Sequence, residues 1–209
     1  MKFLVADDHA IVRKGLVQIL SDEFPAAVIK EVSNSHEVME EVGKETWNVI
    51  LLDISMPGRN GIETLKQIRA EGIKIPVLML SMYSEEQYAV RVLKAGASGF
   101  LNKETATEEL LEAVHKVLSG RKYITPSVAE KLIDTLSERE EKPTYELLSD
   151  REMQVLQYIA AGNTVSEIAE EVSLSVNTIS TYRSRILDKL NLNNNAEITR
   201  YAIDNNLVK

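Results

Sequence analysis

The sequence predicts an α/β fold, a doubly wound five-stranded parallel sheet, followed by an all-α helix-turn-helix domain. Three observations carry that expectation. Five short apolar runs, Phe3 to Ala6, Val28 to Val32, Val49 to Leu52, Val77 to Leu80 and Gly99 to Leu101, punctuate the first 120 residues without polar alternation, as strands buried on both faces do. The stretches between them carry apolar residues at helical spacing, which calls for strand–helix alternation. Residues 147–209 contain no comparable run, and their apolar residues follow helical stripes alone.

Taken in order, the first helical stripe is Ile11, Leu16, Ile19 and Leu20, the third Ile62, Leu65 and Ile68, and the fifth Leu110, Leu111, Val114, Val117 and Leu118. Ser84 with Gln87 and Thr105 with Glu108 have the spacing of capping boxes, which predicts helix starts there. After Gly120, Thr125-Pro126 reads as an N-cap with a first-turn proline, followed by the stripe Val128, Leu132, Ile133 and Leu136. Ser137 to Pro143 is charged and reads as a tether. The expected organisation is therefore a domain over 1–120, a partly helical linker over 121–146 and a second domain over 147–209. In the latter, Ser149 with Glu152 and Thr164 with Glu167 open two helices. Ser173-Leu174-Ser175 is a tight turn, a longer helix runs from Val176 to about Leu190, and a last helix carries Ile198, Tyr201, Ala202 and Ile203.

Composition narrows the function classes. The chain has 209 residues, 24 Lys plus Arg against 32 Asp plus Glu, a formal net charge of −8 and no cysteine. Disulfide frameworks, thiolate metal sites and cysteine nucleophiles are excluded. The start meets acid at Asp7 after four apolar residues, far short of a signal-peptide core, and the longest apolar runs are too short to span a membrane. A cytoplasmic location with no membrane partner is the expectation. Net acidity alone argues against nucleic acid as a partner. Local charge argues otherwise: residues 144–209 hold 6 basic and 9 acidic residues, yet Thr178 to Leu190 holds Arg183, Arg185 and Lys189 against Asp188.

Polar residues gather where the expected strands end: Asp7 and Asp8 after the first, Asp53 after the third, Ser81 after the fourth and Lys103 after the fifth. In a doubly wound sheet those ends share one crevice. Three carboxylates there repel one another, and a hard divalent cation relieves the repulsion by taking their oxygens. One carboxylate is then a candidate nucleophile toward a phosphoryl group, with Lys103 and Ser81 available to its oxygens.

These residues carry a resemblance. Asp7-Asp8, Asp53-Ile-Ser-Met-Pro-Gly58 with Gly61, Leu80-Ser81 and Lys94-Ala-Gly-Ala-Ser-Gly-Phe-Leu-Asn-Lys103 resemble the flavodoxin-like receiver domain of two-component response regulators. The resemblance implies that Asp53 is the phosphoacceptor. It also implies that Asp7, Asp8, Asp53 and the Ser55 carbonyl hold Mg²⁺ (or Mn²⁺), that Ser81 and Phe100 form a switch pair, and that Lys103 serves the phosphoryl group. A sensor histidine kinase or a phosphotransfer protein is the implied donor. The three histidines, His9, His36 and His115, are scattered and read as no metal site.

Leu148-Ser-Asp-Arg-Glu152, Val155-Leu156, Ala160-Ala-Gly162, Glu167-Ile-Ala169, Asn177-Thr-Ile-Ser180 and Lys189-Leu190 resemble the LuxR-type helix-turn-helix of the NarL/FixJ class. Ile179, Ile186, Leu187 and Leu190 form the core stripe of the long helix. The resemblance puts Ser180, Thr181 and Ser184 where relatives read bases, and Thr178, Arg183, Arg185 and Lys189 near phosphates of double-stranded DNA. Relatives often have Lys at position 180, His at 182 and Arg at 195, where this chain has Ser180, Tyr182 and Asn195. The implied function is a phosphorylation-gated DNA-binding transcription regulator, a homodimer when phosphorylated, and not an enzyme. A protein–protein output is the alternative that low basic content favours. An aspartyl-phosphate hydrolase is disfavoured because Asp53-Ile-Ser lacks an Asp-x-Asp arrangement, and no phosphate-binding Gly-rich loop or nucleophile elbow occurs.

Overall fold

A computed structural model describes residues 1–83, 85–137 and 144–208, which fall into two compact units, Met1–Ser137 and Glu138–Lys209. In the first unit, strands and helices alternate: β1 (Lys2–Ala6), α1 (Ala10–Glu23), β2 (Val28–Val32), α2 (Ser35–Lys44), β3 (Val49–Asp53), α3 (Gly61–Ala70), β4 (Val77–Ser81), α4 (Glu85–Lys94), β5 (Gly99–Asn102) and α5 (Ala106–Leu118). The strands are parallel, in the order β2-β1-β3-β4-β5. The order reverses between β1 and β3, so a crevice opens beyond their carboxyl ends.

β1, β3 and β4 are buried as their sequences predict, and Phe3, Val5, Leu51, Leu78 and Leu80 join Leu110, Val114 and Val117 of α5 in one apolar core. β2 departs from that pattern. It pairs only with β1, and Val28, Lys30 and Glu31 are exposed. An edge strand has one free flank, and these charged residues face water there.

The helix starts differ from the expected caps in an instructive way. Thr105 does not close a capping box: its backbone is already helical, and its hydroxyl donates to the Asn102 carbonyl. The Ser84–Gln87 pair lies outside the described residues. Asn34 and Asn60 instead cap α2 and α3, accepting the N–H of Glu37 and of Glu63. After α5, Tyr123 forms a β-bridge with Gly99, and α6 (Pro126–Ser137) packs on α4. The expected tether, residues 138–143, lies outside the described residues.

Among its described residues the second unit holds a 3₁₀ turn (Thr144–Leu147) and four helices, α7 (Asp150–Ala160), α8 (Val165–Glu171), α9 (Val176–Leu190) and α10 (Asn195–Asp204). Both expected capping boxes, Ser149–Glu152 and Thr164–Glu167, are formed in full. The turn between α8 and α9 uses Ser173 in the left-handed region (φ 54°), and Ser175 caps α9. Ile168, Ile179, Ile186, Ile198 and Ala202 are fully buried around Leu156. On α10, Ile203 is 58% exposed and stands outside the core that its neighbours build.

Candidate functional site

Asp53 ends β3, the strand flanked on both sides by β1 and β4. The chain then turns tightly, with the Ile54 N–H on the Leu80 carbonyl and the Gly61 N–H on the Ile54 carbonyl, both at 2.9 Å. A Cβ at Gly61 would lie 2.0 Å from the Asp53 carbonyl oxygen, so only glycine lets α3 start this close to β3. Asp7 follows β1 beside it. Its Oδ1 accepts the His9 N–H at 2.8 Å, and the Arg13 guanidinium donates to its carbonyl at 2.6 Å. β5 brings Lys103, whose backbone N–H donates to the Ser81 carbonyl at 2.8 Å.

The Lys103 ammonium lies 2.8 Å from one oxygen each of Asp7 and Asp53, and all three side chains are at most 2% exposed. Burial raises the Asp53 carboxyl; Lys103 opposes that, Asp7 adds to it, and the result is pushed up to about 6. Burial alone would lower Lys103, but Asp53 and Asp7 outweigh it and raise the ammonium above its ordinary value.

Asp7, Asp8, Asp53 and His9 place one ligand atom each within 4.8 Å of one another. Asp7 Oδ2, Asp8 Oδ1 and Asp53 Oδ2 are buried there. The Lys103 ammonium lies against the first and last of them, and the His9 ring against that of Asp8. Three carboxylates converging with a single ammonium between them leave negative charge that a hard divalent cation would offset. Ser55 joins the group through its N–H, which donates to Asp53 Oδ1 at 3.2 Å.

His9 is the member that sequence spacing misses. It adjoins Asp7-Asp8, and its Nδ1 sits 2.7 Å from Asp8 Oδ1. Asp8 does not cap α1; His9 occupies the N-cap position without a side-chain bond. His115 lies apart, paired with Glu23 at 2.9 Å.

Ser81 is 1% exposed, and its Oγ accepts the Tyr83 N–H at 3.0 Å. Asn102 Nδ2 donates to the Tyr83 carbonyl at 3.3 Å, and the Tyr83 ring stacks on Tyr88 of α4. Phe100 is buried on β5 at 4% exposure. The Ser81 hydroxyl therefore bonds to the segment that starts α4.

In the second unit, Asn177, Ser180, Thr181, Ser184 and Arg185 form an exposed stripe on α9, opposite buried Ile179, Ile186 and Leu190. Thr181 and Ser184 donate their hydroxyls back to the carbonyls of Asn177 and Ser180, leaving the oxygens free to accept. Three expected phosphate contacts are engaged within the fold. The Thr178 and Ser175 hydroxyls meet at 2.8 Å at the cap, and Arg183 Nε donates to Asn195. Lys189 binds the Glu152 carboxylate and the Leu147 carbonyl.

A parallel five-stranded sheet with an acid–lysine crevice, followed by a helix-turn-helix unit, defines a receiver joined to a DNA-binding output. A response regulator receiver domain model matches residues 3–115, and the luxR family of bacterial regulatory proteins matches residues 146–202. The chain belongs to the response regulators with a LuxR-type output domain, a family of two-component transcription regulators rather than of enzymes. Response regulator UvrY of Escherichia coli K12 is 34% identical over 98% of this chain and 94% of its own. RcsB of Salmonella enterica serovar Typhimurium, bound to a promoter with the phosphomimetic BeF3⁻, aligns with a TM-score of 0.59 at 26% identity. That alignment covers 96% of this chain and 97% of RcsB. A structure of two RcsB dimers on two parallel DNAs aligns at 0.60 with 27% identity, covering 96% and 97%.

Proposed function

We propose that Asp53 is the phosphoacceptor and that its phosphorylation by a sensor histidine kinase or phosphotransfer protein promotes dimerisation and promoter binding. One observation carries the reading: a carboxylate buried at the end of β3 that faces a buried ammonium and a second buried acid. In the transfer, an Asp53 oxygen bonds to phosphorus as the phosphorus–nitrogen bond of a phosphohistidine breaks. The electron pair stays on the imidazole nitrogen. Lys103 neutralises the phosphoryl oxygens, and the Ser81 hydroxyl turns from Tyr83 to donate to one of them. Phe100 follows into the space that Ser81 vacates. Asp7, Asp8, Asp53 and the Ser55 carbonyl would hold Mg²⁺ (or Mn²⁺), which when bound offsets the carboxylate and phosphoryl charge.

In this reading, residues 1–120 are the receiver, 121–146 the linker and 147–209 the DNA-binding domain. Asn177, Ser180, Thr181 and Ser184 face base edges and Arg185 faces phosphate. Promoter DNA as partner calls for a cytoplasmic protein, and the RcsB dimers on DNA support a homodimer. Among the described residues no helix is long and apolar enough to cross a membrane. The test is labelling by a phosphohistidine donor or acetyl phosphate, followed by promoter binding. Asp53→Asn should abolish both labelling and the gain in binding; undiminished labelling overturns the assignment.

A further inference from the structure

His9 stands at the N-cap of α1 and caps nothing. Its backbone is extended (φ −80°, ψ 103°), yet its side chain makes no bond to the first turn. Asn34, Asn60, Ser175 and Asn194 at the same position all bond to theirs. Ser, Thr, Asp and Asn are favoured at an N-cap because a short side-chain oxygen can take an N–H of the first turn. The imidazole is turned to the crevice instead. The His9 N–H donates to Asp7 Oδ1 at 2.8 Å, which fixes the residue over that carboxylate. Its Nδ1 lies 2.7 Å from Asp8 Oδ1 and 3.4 Å from Asp7 Oδ1. The Arg13 guanidinium, bonded to the Asp7 carbonyl at 2.6 Å and to Glu31 at 3.0 Å, braces the same turn.

Such distances are those between ligands of one ion. Bonds of about 2.1 Å put adjacent ligands of an octahedral ion about 3 Å apart and opposite ones about 4.2 Å apart. The ligand atoms of Asp7, Asp8, His9 and Asp53 all lie within 4.8 Å of one another. Lys103 sits on Oδ2 of Asp7 and of Asp53, whereas the His9 ring meets Oδ1 of Asp7, so ammonium and imidazole do not compete for one oxygen. The His9 side chain is 57% exposed, which leaves its outer face to water. The donor set is thus three carboxylates and one imidazole. Carboxylates suit Mg²⁺ and Mn²⁺, and an imidazole nitrogen adds affinity that rises along the first transition row from Mn²⁺ through Co²⁺ to Ni²⁺. Mg²⁺ gives up its waters reluctantly and takes oxygen ligands, so it gains little from that nitrogen.

We propose that His9 is a fourth side-chain ligand in the crevice, and that its imidazole makes the site select a first-row transition-metal ion over Mg²⁺. The inference rests on the reading of Asp7, Asp8 and Asp53 as holders of a divalent cation. That reading needs oxygens alone; the selectivity comes from one nitrogen.

The experiment uses the full chain, calorimetric titration with Mg²⁺ and with Co²⁺, and pulsed EPR of the Mn²⁺-loaded protein, which detects nitrogen bonded to the ion. Wild type should bind Co²⁺ at least about tenfold more tightly than Mg²⁺. His9→Ala should weaken Co²⁺ binding by at least about tenfold, the lower end of what losing even an outer-shell partner costs. Its Mg²⁺ affinity should stay within about twofold of wild type. The Mn²⁺ spectrum should carry an imidazole nitrogen coupling in wild type and lose it in His9→Ala. If wild type binds both ions but shows no nitrogen coupling, His9 is not a ligand and the carboxylate reading stands. A coupling with the same Co²⁺ to Mg²⁺ ratio in both proteins overturns the selectivity. If neither ion binds wild type, or Asp8→Asn binds both as tightly, the cation reading itself falls and takes His9 with it.

Discussion

The Lys189 ammonium lies 2.6 Å from the Glu152 carboxylate, which also accepts the Ser149 N–H at 2.7 Å in the capping box of α7. The C-terminal end of α9 is thereby tied to the start of α7. Lys189→Met should destabilise the C-terminal unit by about 1–2 kcal/mol, since the carboxylate is buried while the ammonium is partly solvated. Urea unfolding measures this. The salt slope of DNA binding should stay as in wild type, and a slope reduced at unchanged stability would show that Lys189 meets phosphate instead.

Arg185 is the contrasting residue, exposed on the α9 stripe. Arg185→Ala should weaken binding to all DNA sequences alike and lower the magnitude of the log–log salt slope by about 1. Fluorescence anisotropy between 50 and 200 mM salt, roughly the range over which phosphate contacts are felt, gives the slope. An unchanged slope removes Arg185 from the phosphate set.

Acid should loosen the C-terminal unit. Burial acts to raise Glu152, but the bonds from Lys189 and Ser149 outweigh it and hold the carboxyl below its ordinary 4.5. A lowered folded value contributes stability above pH 4.5 that is lost as pH falls through it. Glu152→Gln should be less stable at pH 7 and flatter below pH 4.5 than wild type. Parallel unfolding curves against pH for the two proteins would refute this.

The crevice has the opposite sign. Asp53 is raised from 3.8 to about 6, so the folded unit holds that proton more tightly than the unfolded chain does. Stability from this group therefore falls as pH rises from about 4 through 6. Asp53→Asn should stabilise the metal-free protein at pH 7 by about 1–3 kcal/mol, at 1.36 kcal/mol per pKa unit. Thermal melts in EDTA test this; an Asn variant less stable than wild type at neutral pH is the contrary result. Added Mg²⁺ should raise the wild-type melting temperature more than that of the variant.

Gly61→Ala puts a Cβ where 2.0 Å separates it from the Asp53 carbonyl oxygen. Backbone on both sides has to give, at a cost of about 1–3 kcal/mol. Labelling of Asp53 should slow with it. A variant that melts and labels like wild type would mean that the turn after β3 yields freely.

The sheet and crevice are legible because their signals are local and apolar: every run but the second leads into a polar residue at the crevice. β2 differs because Lys30 and Glu31 interrupt its apolar run, a signal of the edge position that the strand order shows. Asn34, Asn60 and Asn194 went unread as caps although each stands three residues before a glutamate, the spacing of the Ser and Thr boxes. Lys189 and Arg183 could not be sorted from Arg185 by sequence, because their partners Glu152 and Asn195 come from other helices.

β3 is buried along its length and paired on both flanks, whereas α4 packs on the edge strand β5 and α6 on α4. Opening free energies in a domain run from near zero at lightly packed elements up to the global value in the central strands. Asp53, the proposed acceptor, thus belongs to the last part of the unit to open, and the outer helices to the first. Under mild heat or denaturant the crevice around Asp53 should therefore outlast the helices at the sheet's margin, and a receiver that has begun to fray there would still keep its carboxylates and Lys103 in place.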